Sequence, residues 1–182
     1  METLVLNWIY QLVNSELILS ILKGITFLGN KGMFFIGLIA ILIGFRKTRK
    51  LGILLLVGLL IEFLIVDVCL KPMVARPRPC MVIPSLSRIP CLSDYSFPSG
   101  HSGMSFMLAG IFWFTRNPYR LWALIFACFM AFSRLVLYVH WPSDVLVGIV
   151  LGWTIAYGTI AFSHQKHISM LLDRLCHNKE KE

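Results

Sequence analysis

Ser133-Arg-Leu-Val-Leu-Tyr-Val-His-Trp-Pro-Ser-Asp144 takes in the end of the apolar run 121–139 and leads directly into the run 145–162. Each run approaches the about 20 residues an α-helix needs to cross a bilayer. The stretch therefore reads as a polar hinge between two transmembrane helices. Charge at membrane depth is expensive and marks a functional site by default. Further apolar runs at 32–45, 51–70 and 103–115 extend the pattern toward the N-terminus. Of these, 32–45 and 103–115 reach spanning length only if Leu28–Lys31 and Phe97–Ser102 belong to the same helices. Residues 1–29, interrupted by Asn7, Asn14, Ser15 and Glu16, read as one broken span or as an interfacial helix followed by a second helix.

Composition agrees with a membrane protein. The 182 residues are 57% hydrophobic and 14% charged, and mean hydropathy is +0.75. Soluble domains carry about 25% charge, and so many apolar runs could not be buried in so small a soluble core. The expected class is all-α, a polytopic transmembrane bundle of five to six spans. Residues 1–163 form one membrane-embedded domain and 164–182 a basic cytoplasmic tail, with 178–182 frayed. No basic n-region or A-x-A cleavage site marks a signal peptide. The net charge of +8 is assigned to cytoplasmic loops and a substrate pocket, with no nucleic-acid partner.

Orientation follows the Lys/Arg bias of the loops. Arg46, Lys47, Arg49 and Lys50, then Arg116 and Arg120, then Lys166, Arg174, Lys179 and Lys181 fall on one side, taken as cytoplasmic. The loop 71–100 and the turn 140–144 then lie outside. Lys71, Arg76, Arg78 and Arg88 stand where topology does not call for cations, and a bound anion would account for them.

Two more polar islands accompany the first. Lys71-Pro-Met-Val-Ala-Arg-Pro-Arg-Pro79 ends the third apolar run. Its prolines stop the helix and stiffen the turn. Its arginines offer planar forks for phosphate oxygens, and its lysine a point charge. Taken alone, these could equally be snorkelling interfacial cations. Phe97-Pro-Ser-Gly-His-Ser102 opens the next helix, with Ser99 as N-cap and Gly100 permitting close backbone approach. Ordinary capping beside a surface histidine would explain that island by itself. In the third island Pro142 suits the first turn of a helix. Asp144 can then accept from one ring nitrogen of His140, fixing its tautomer and freeing the other nitrogen to attack. Asp144 as a mere complement to the helix dipole leaves Arg134 and His140 unexplained.

The order and spacing of the islands resemble the type 2 phosphatidic acid phosphatase family, whose core is shared with glucose-6-phosphatase and vanadium haloperoxidases. Lys71, Arg78 and Pro79, then Pro98, Ser99, Gly100 and His101, then Ser133, Arg134, His140 and Asp144 match its three-part signature. The resemblance implies a phosphatase in which His140 attacks phosphorus, Asp144 orients it and His101 protonates the leaving oxygen. It gives Lys71, Arg78, Ser99, the Gly100 amide and Arg134 the phosphate oxygens. No metal and no cofactor is expected. The substrate would be a lipid phosphate or diphosphate reached from the bilayer, undecaprenyl diphosphate first. Phosphatidylglycerophosphate, phosphatidic acid, diacylglycerol diphosphate and lipid A phosphate stay open. A soluble phosphomonoester phosphatase of glucose-6-phosphatase type, or an anion transporter, is the alternative. The loop 80–97 is expected to shape head-group choice.

The remaining polar residues have plainer readings. Asp67 is placed to pair with Lys71 at i,i+4, and Glu62 needs a partner the sequence does not name. Cys80 and Cys91 share the outer loop, where an oxidising exterior permits a disulfide; Cys69, Cys128 and Cys176 read as reduced. Cysteine and histidine spacings fit no zinc pattern. Gly148 and Gly152 form a small-xxx-small pair for helix packing, with a homodimer contact as the alternative. Trp8, Trp141, Trp153, Tyr10, Tyr138 and Tyr157 read as interfacial anchors or lipid-facing packing. His164, His167 and His177 read as solvated, on a tail helix 163–176 lying along the inner leaflet.

Overall fold

The computed structural model describes residues 1–29 and 32–177, and every element among them is helical. Lys31 and the tail 178–182 lie outside the described residues. Two helices occupy the N-terminal segment: α1 (Glu2–Leu12) and α2 (Glu16–Gly29). At 11 residues α1 is roughly 16 Å long and cannot cross a bilayer. Helix α3 (Met33–Gly44) follows, bent by 59° from α2. Helix α4 (Arg49–Phe63) runs through a π-helical stretch, Leu64–Leu70, into α5 (Lys71–Val74). The loop between α5 and α7 carries only the short α6 (Pro79–Val82) and a 3₁₀ turn at Pro84–Leu86, and a disulfide joins Cys80 to Cys91. Then come α7 (Gly100–Phe114), α8 (Arg120–Val136), α9 (Pro142–Ser163) and α10 (Lys166–His177).

Among the described residues, the run Arg49–Val82 and α9 are long and apolar enough to cross a membrane, and the bent α2–α3 pair makes a third if it counts as one span. The sequence expectation for 121–139 needs correction. Helix α8 ends at Val136, after 17 residues. Its end is a Schellman cap: Val139 N–H donates to Arg134 O at 3.2 Å and Tyr138 N–H to Leu135 O at 3.0 Å. Tyr138 holds the left-handed position, φ 62°, where glycine is usual and a side chain costs about 1–2 kcal/mol. This cap turns the chain so that His140 points back into the bundle. Helix α7 likewise starts only at Gly100 and has 15 residues.

Helix α7 is buried at 11 of its 15 positions, so it is the axis about which α4, α8 and α9 pack. Its tightest neighbour is α9. A Cβ at Gly148 would sit 2.6 Å from Ser99 O, and one at Gly152 would sit 2.8 Å from Met107 N. The small-residue pair therefore serves packing within the chain, and its close approach holds the Ser99 turn against the start of α9. Phe35, Leu55, Met107, Ile111 and Ala156 fill the core. Trp153 packs against Trp113 and Phe114 at ring separations of 6.3 and 5.6 Å. Around this core, large apolar side chains including Phe27, Leu60, Phe63, Trp122, Phe129 and Val150 are exposed.

The basic segments gather at the end remote from the three islands. Lys47, Lys50, Asn117, Ser163 and His164 line one cavity of about 310 Å³. Helix α10 packs on α4 and α9 and buries Leu172.

Candidate active site

The three islands converge at one end of the bundle and are stitched by backbone bonds. Ser99 N–H donates to Asp144 O at 3.0 Å, and Ser96 N–H to Arg76 O at 2.8 Å. Arg78 occupies the centre and is 1% exposed. Its Nη1 donates to Val139 O at 3.0 Å and to His140 Nε2 at 2.9 Å. Its Nη2 and Nε donate to Asp94 Oδ1 and Asp94 O, at 2.8 and 3.0 Å. Lys71 Nζ stands on the other side of the same carboxylate, 2.8 Å from Asp94 Oδ2 and 2.6 Å from Asp67 Oδ1. Burial raises the Asp94 carboxyl, but the Lys71 hydrogen bond and the charges of Arg78 and Lys71 outweigh it, so the group lies below its ordinary range. Asp94 is thus an anion held between two cations.

The partners of His140 define its tautomer. A guanidinium can only donate, so Nε2 is the unprotonated nitrogen; a carbonyl can only accept, so Nδ1 carries the proton. That proton goes to Ser96 O at 2.8 Å. The direct bond to Asp144 expected from the sequence is not formed, since Nδ1 and Asp144 Oδ2 are 3.6 Å apart. Asp144 Oδ2 instead accepts from Trp141 N–H at 2.8 Å and from the Ser96 hydroxyl. Burial first, then the charges of Arg78, Arg134 and Lys71, hold the His140 imidazole well below the ordinary histidine range, against the opposing pull of the Ser96 carbonyl. It is neutral at neutral pH.

Arg134 differs from the other cations. It is fully buried. Nη1 donates to Thr26 Oγ1 at 3.1 Å, and that hydroxyl is 2.7 Å from Ser133 Oγ. Nε and Nη2 have no hydrogen-bond partner. A buried cation with unpaired donors is costly, so the unspent donors imply a purpose other than stability. His101 is in the same condition. Its Nε2 is buried and unpartnered, and the residue lies within electrostatic reach of Arg134, His140, Arg78 and Lys71. The ring rests on α2, where a Cβ at Gly29 would collide with His101 Cδ2 and sit 3.0 Å from Nε2. Ser99 caps α7 and is buried, with its Oγ 2.9 Å from Ser102 Oγ.

Several sequence expectations change here. Arg76 and Arg88 do not face the Arg78 cluster. Arg88 donates to the carbonyls of Val13 and Tyr10 at 2.6 and 2.7 Å, closing the C-terminus of α1. Arg76 bonds Asp144 Oδ1 at 2.7 Å and also Glu2. Tyr138 is no interfacial anchor: it is fully buried and its hydroxyl donates to Asn7 Oδ1 at 2.9 Å. Glu62 is fully buried against Gly103 with both oxygens unpartnered. Asp94, Ser96, Thr26 and Gly29 escaped the sequence reading. The signal for the first two was their place in the loop that returns from the disulfide to the second island.

A helical, membrane-type bundle that collects buried cations and two histidines around an anion position at one end is the class this chain represents. The PAP2 superfamily matches residues 32–168, and the chain belongs to it. It is 31% identical to the undecaprenyl-diphosphatase of Sulfolobus acidocaldarius over 82% of this chain and 74% of that protein. Against the undecaprenyl-diphosphatase BcrC of Bacillus subtilis it is 34% identical over 67% and 63%. Among solved structures it superposes on the PAP2 type phosphatidylglycerolphosphate phosphatase of Bacillus subtilis with a TM-score of 0.75, at 26% identity, over 91% of this chain and 86% of that one. Aquifex aeolicus LpxE, 23% identical, gives 0.74 over 88% and 94% and shares the fold.

Proposed function

We propose that this protein is an integral membrane phosphatase that hydrolyses a lipid diphosphate, undecaprenyl diphosphate first, through a phosphohistidine on His140. The observation that carries the reading is the Arg78–His140 contact of 2.9 Å, which aims a neutral Nε2 at a cationic pocket. Similarity to two proteins named undecaprenyl-diphosphatases supports the substrate. The bundle would cross the cell membrane five or six times, with the pocket near the outer face, so that a lipid head group enters sideways. Residues 1–163 would form the catalytic domain.

In this mechanism the terminal phosphate takes the place of the Asp94 carboxylate between Lys71 and Arg78. Arg78 turns its donors to the equatorial oxygens, which frees the Nε2 lone pair. Arg134, Ser99 and the Gly100 amide hold the remaining oxygens. Nε2 attacks phosphorus as the P–O bond to the lipid phosphate breaks, and His101, which takes up a second proton as the substrate's negative charge offsets the surrounding cations, gives that proton to the leaving oxygen. The imidazolium that results keeps its Nδ1 proton on Ser96 O, with the Asp144 charge close behind. Water then attacks the phosphohistidine, returning a proton to His101 and releasing phosphate. Positioning and charge stabilisation are most of what phosphoryl transfer demands, and the cations supply them without a metal.

The test is phosphate release by the purified protein over a panel of lipid phosphates and a sugar phosphate, in excess chelator, beside His140→Ala. Preference for undecaprenyl diphosphate, retained in chelator and lost in the variant, is expected. Full activity in His140→Ala would overturn the mechanism, and loss in chelator that magnesium restores would overturn metal independence. A preference for phosphatidylglycerophosphate or for the sugar phosphate would move the substrate.

A further inference from the structure

Helix α1 has two unlike sides. Leu4, Trp8 and Leu12 are 72%, 63% and 61% exposed, whereas Leu6, Ile9 and Val13 are buried. Glu2 continues the buried side, one turn before Leu6. Its Oε1 accepts from Ser143 N–H at 3.0 Å, in the first turn of α9, and its Oε2 accepts from Arg76 Nη2. The other arm of Arg76 donates to Ser143 Oγ and Asp144 Oδ1, each at 2.7 Å, and its guanidinium lies 5.2 Å from the Trp141 ring. Arg76 also reaches His140 through the backbone: its carbonyl receives Ser96 N–H, and Ser96 O receives the His140 Nδ1 proton. Neither Glu2 nor Arg76 touches Lys71, Arg78 or Arg134 in any of these bonds.

We propose that Arg76 and Glu2 are positioning residues for the His140 nucleophile, with α1 as the latch that seats them. This deepens the phosphohistidine reading and rests on it. The physical content is a competition for one carboxylate. Asp144 is fully buried, and a buried carboxylate takes whatever cation is nearest. With Arg76 on Oδ1, the charge of Asp144 is already shared, and the imidazole 3.6 Å away stays neutral and fixed on the Ser96 carbonyl. Without Arg76, the nearest cation Asp144 can have is a protonated His140, which cannot attack. Glu2 holds the second arm of Arg76, so its fork keeps one orientation. The charged groups acting on His140 are Arg78 and Lys71 from the first island, Arg134 from α8, His101 from α7 and Asp144 from α9. Of these, Asp144 alone is tied to Arg76.

The experiment uses full-length protein in lipid bicelles with undecaprenyl diphosphate, comparing wild type, Arg76→Gln, Arg76→Lys, Glu2→Gln and His140→Ala. Arg76→Gln should lower kcat about 10- to 100-fold, the scale on which loss of one charged hydrogen bond acts, with KM little changed. The acid limb of its kcat/KM profile should move to higher pH, because an unshared Asp144 charge favours the imidazolium. Arg76→Lys should recover part of the rate and return the limb toward wild type. Glu2→Gln, at a half-exposed pair, should lose only about threefold. Wild-type kcat and limb in Arg76→Gln would overturn the inference. So would equal losses in Gln and Lys with the limb unmoved, since a purely structural arginine would behave that way. If Arg76→Gln does not fold, unchanged kcat in Glu2→Gln overturns it. Activity in His140→Ala would instead overturn the phosphohistidine reading beneath it.

Discussion

Two sides of the proposed anion pocket are built on opposite principles. On one side, every nitrogen of Lys71 and Arg78 has a partner, supplied by Asp67, Asp94, the Val139 carbonyl and His140. On the other, Arg134 and His101 are buried with polar atoms unpartnered. The first side is stable and must exchange partners before it can hold a phosphate. The second needs no rearrangement and carries its cost permanently. A pocket of this kind combines a seat that resists collapse with one that is ready to bind, and electrostatic preorganisation of the second kind is where catalysis gains most.

The contrast breaks most sharply at Arg134. Arg134→Met should lower kcat/KM about 10³-fold, the upper range for loss of one preorganised donor. It should also raise the thermal midpoint, because a buried, half-paired charge gives way to an apolar side chain. A fall in the midpoint beside the lost rate would show that Arg134 is held by more than Thr26. Gly29→Ala tests the neighbouring histidine. Its methyl group would press on the His101 ring, and displacing the proposed general acid should cost about 10²-fold in kcat. Wild-type kcat would mean that His101 can move without consequence. The partnered side calls for a gentler probe. Asp94→Asn removes the charge that competes with phosphate, so inhibition by inorganic phosphate should tighten, by about fivefold for roughly 1 kcal/mol. Weaker inhibition would make Asp94 a support for the cations and not their resting occupant.

How the two sides could be read from sequence also differs. Lys71, Arg78, Arg134, His140 and Asp144 are visible because charged and titratable residues beside apolar runs demand a reason, whereas His101 is visible only through the resemblance of the three islands to a known family. Their partners are not. Asp94 and Ser96 are ordinary loop residues until a disulfide and a returning chain bring them onto Arg78 and His140. Thr26 and Gly29 matter only because α2 packs beside α8 and α7. The end of α8 was misplaced because Leu137, Tyr138 and Val139 are as apolar as the helix before them, and only a strained tyrosine marks the cap. Arg76 and Arg88 were grouped with the anion-binding cations by charge alone, although each has a partner on or beside α1. Glu62 remains without a hydrogen-bond partner in the structure, as it was in the sequence.

The central claim is that the neutral Nε2 of His140 attacks phosphorus. Its most direct measurement is an alkaline-stabilised quench of the enzyme turning over substrate labelled in its terminal phosphate, followed by peptide mapping. The account predicts a transient phosphoramidate on the peptide containing His140, absent in His140→Ala. Label on another residue, or rapid turnover with no phosphoprotein at any quench time, would contradict it.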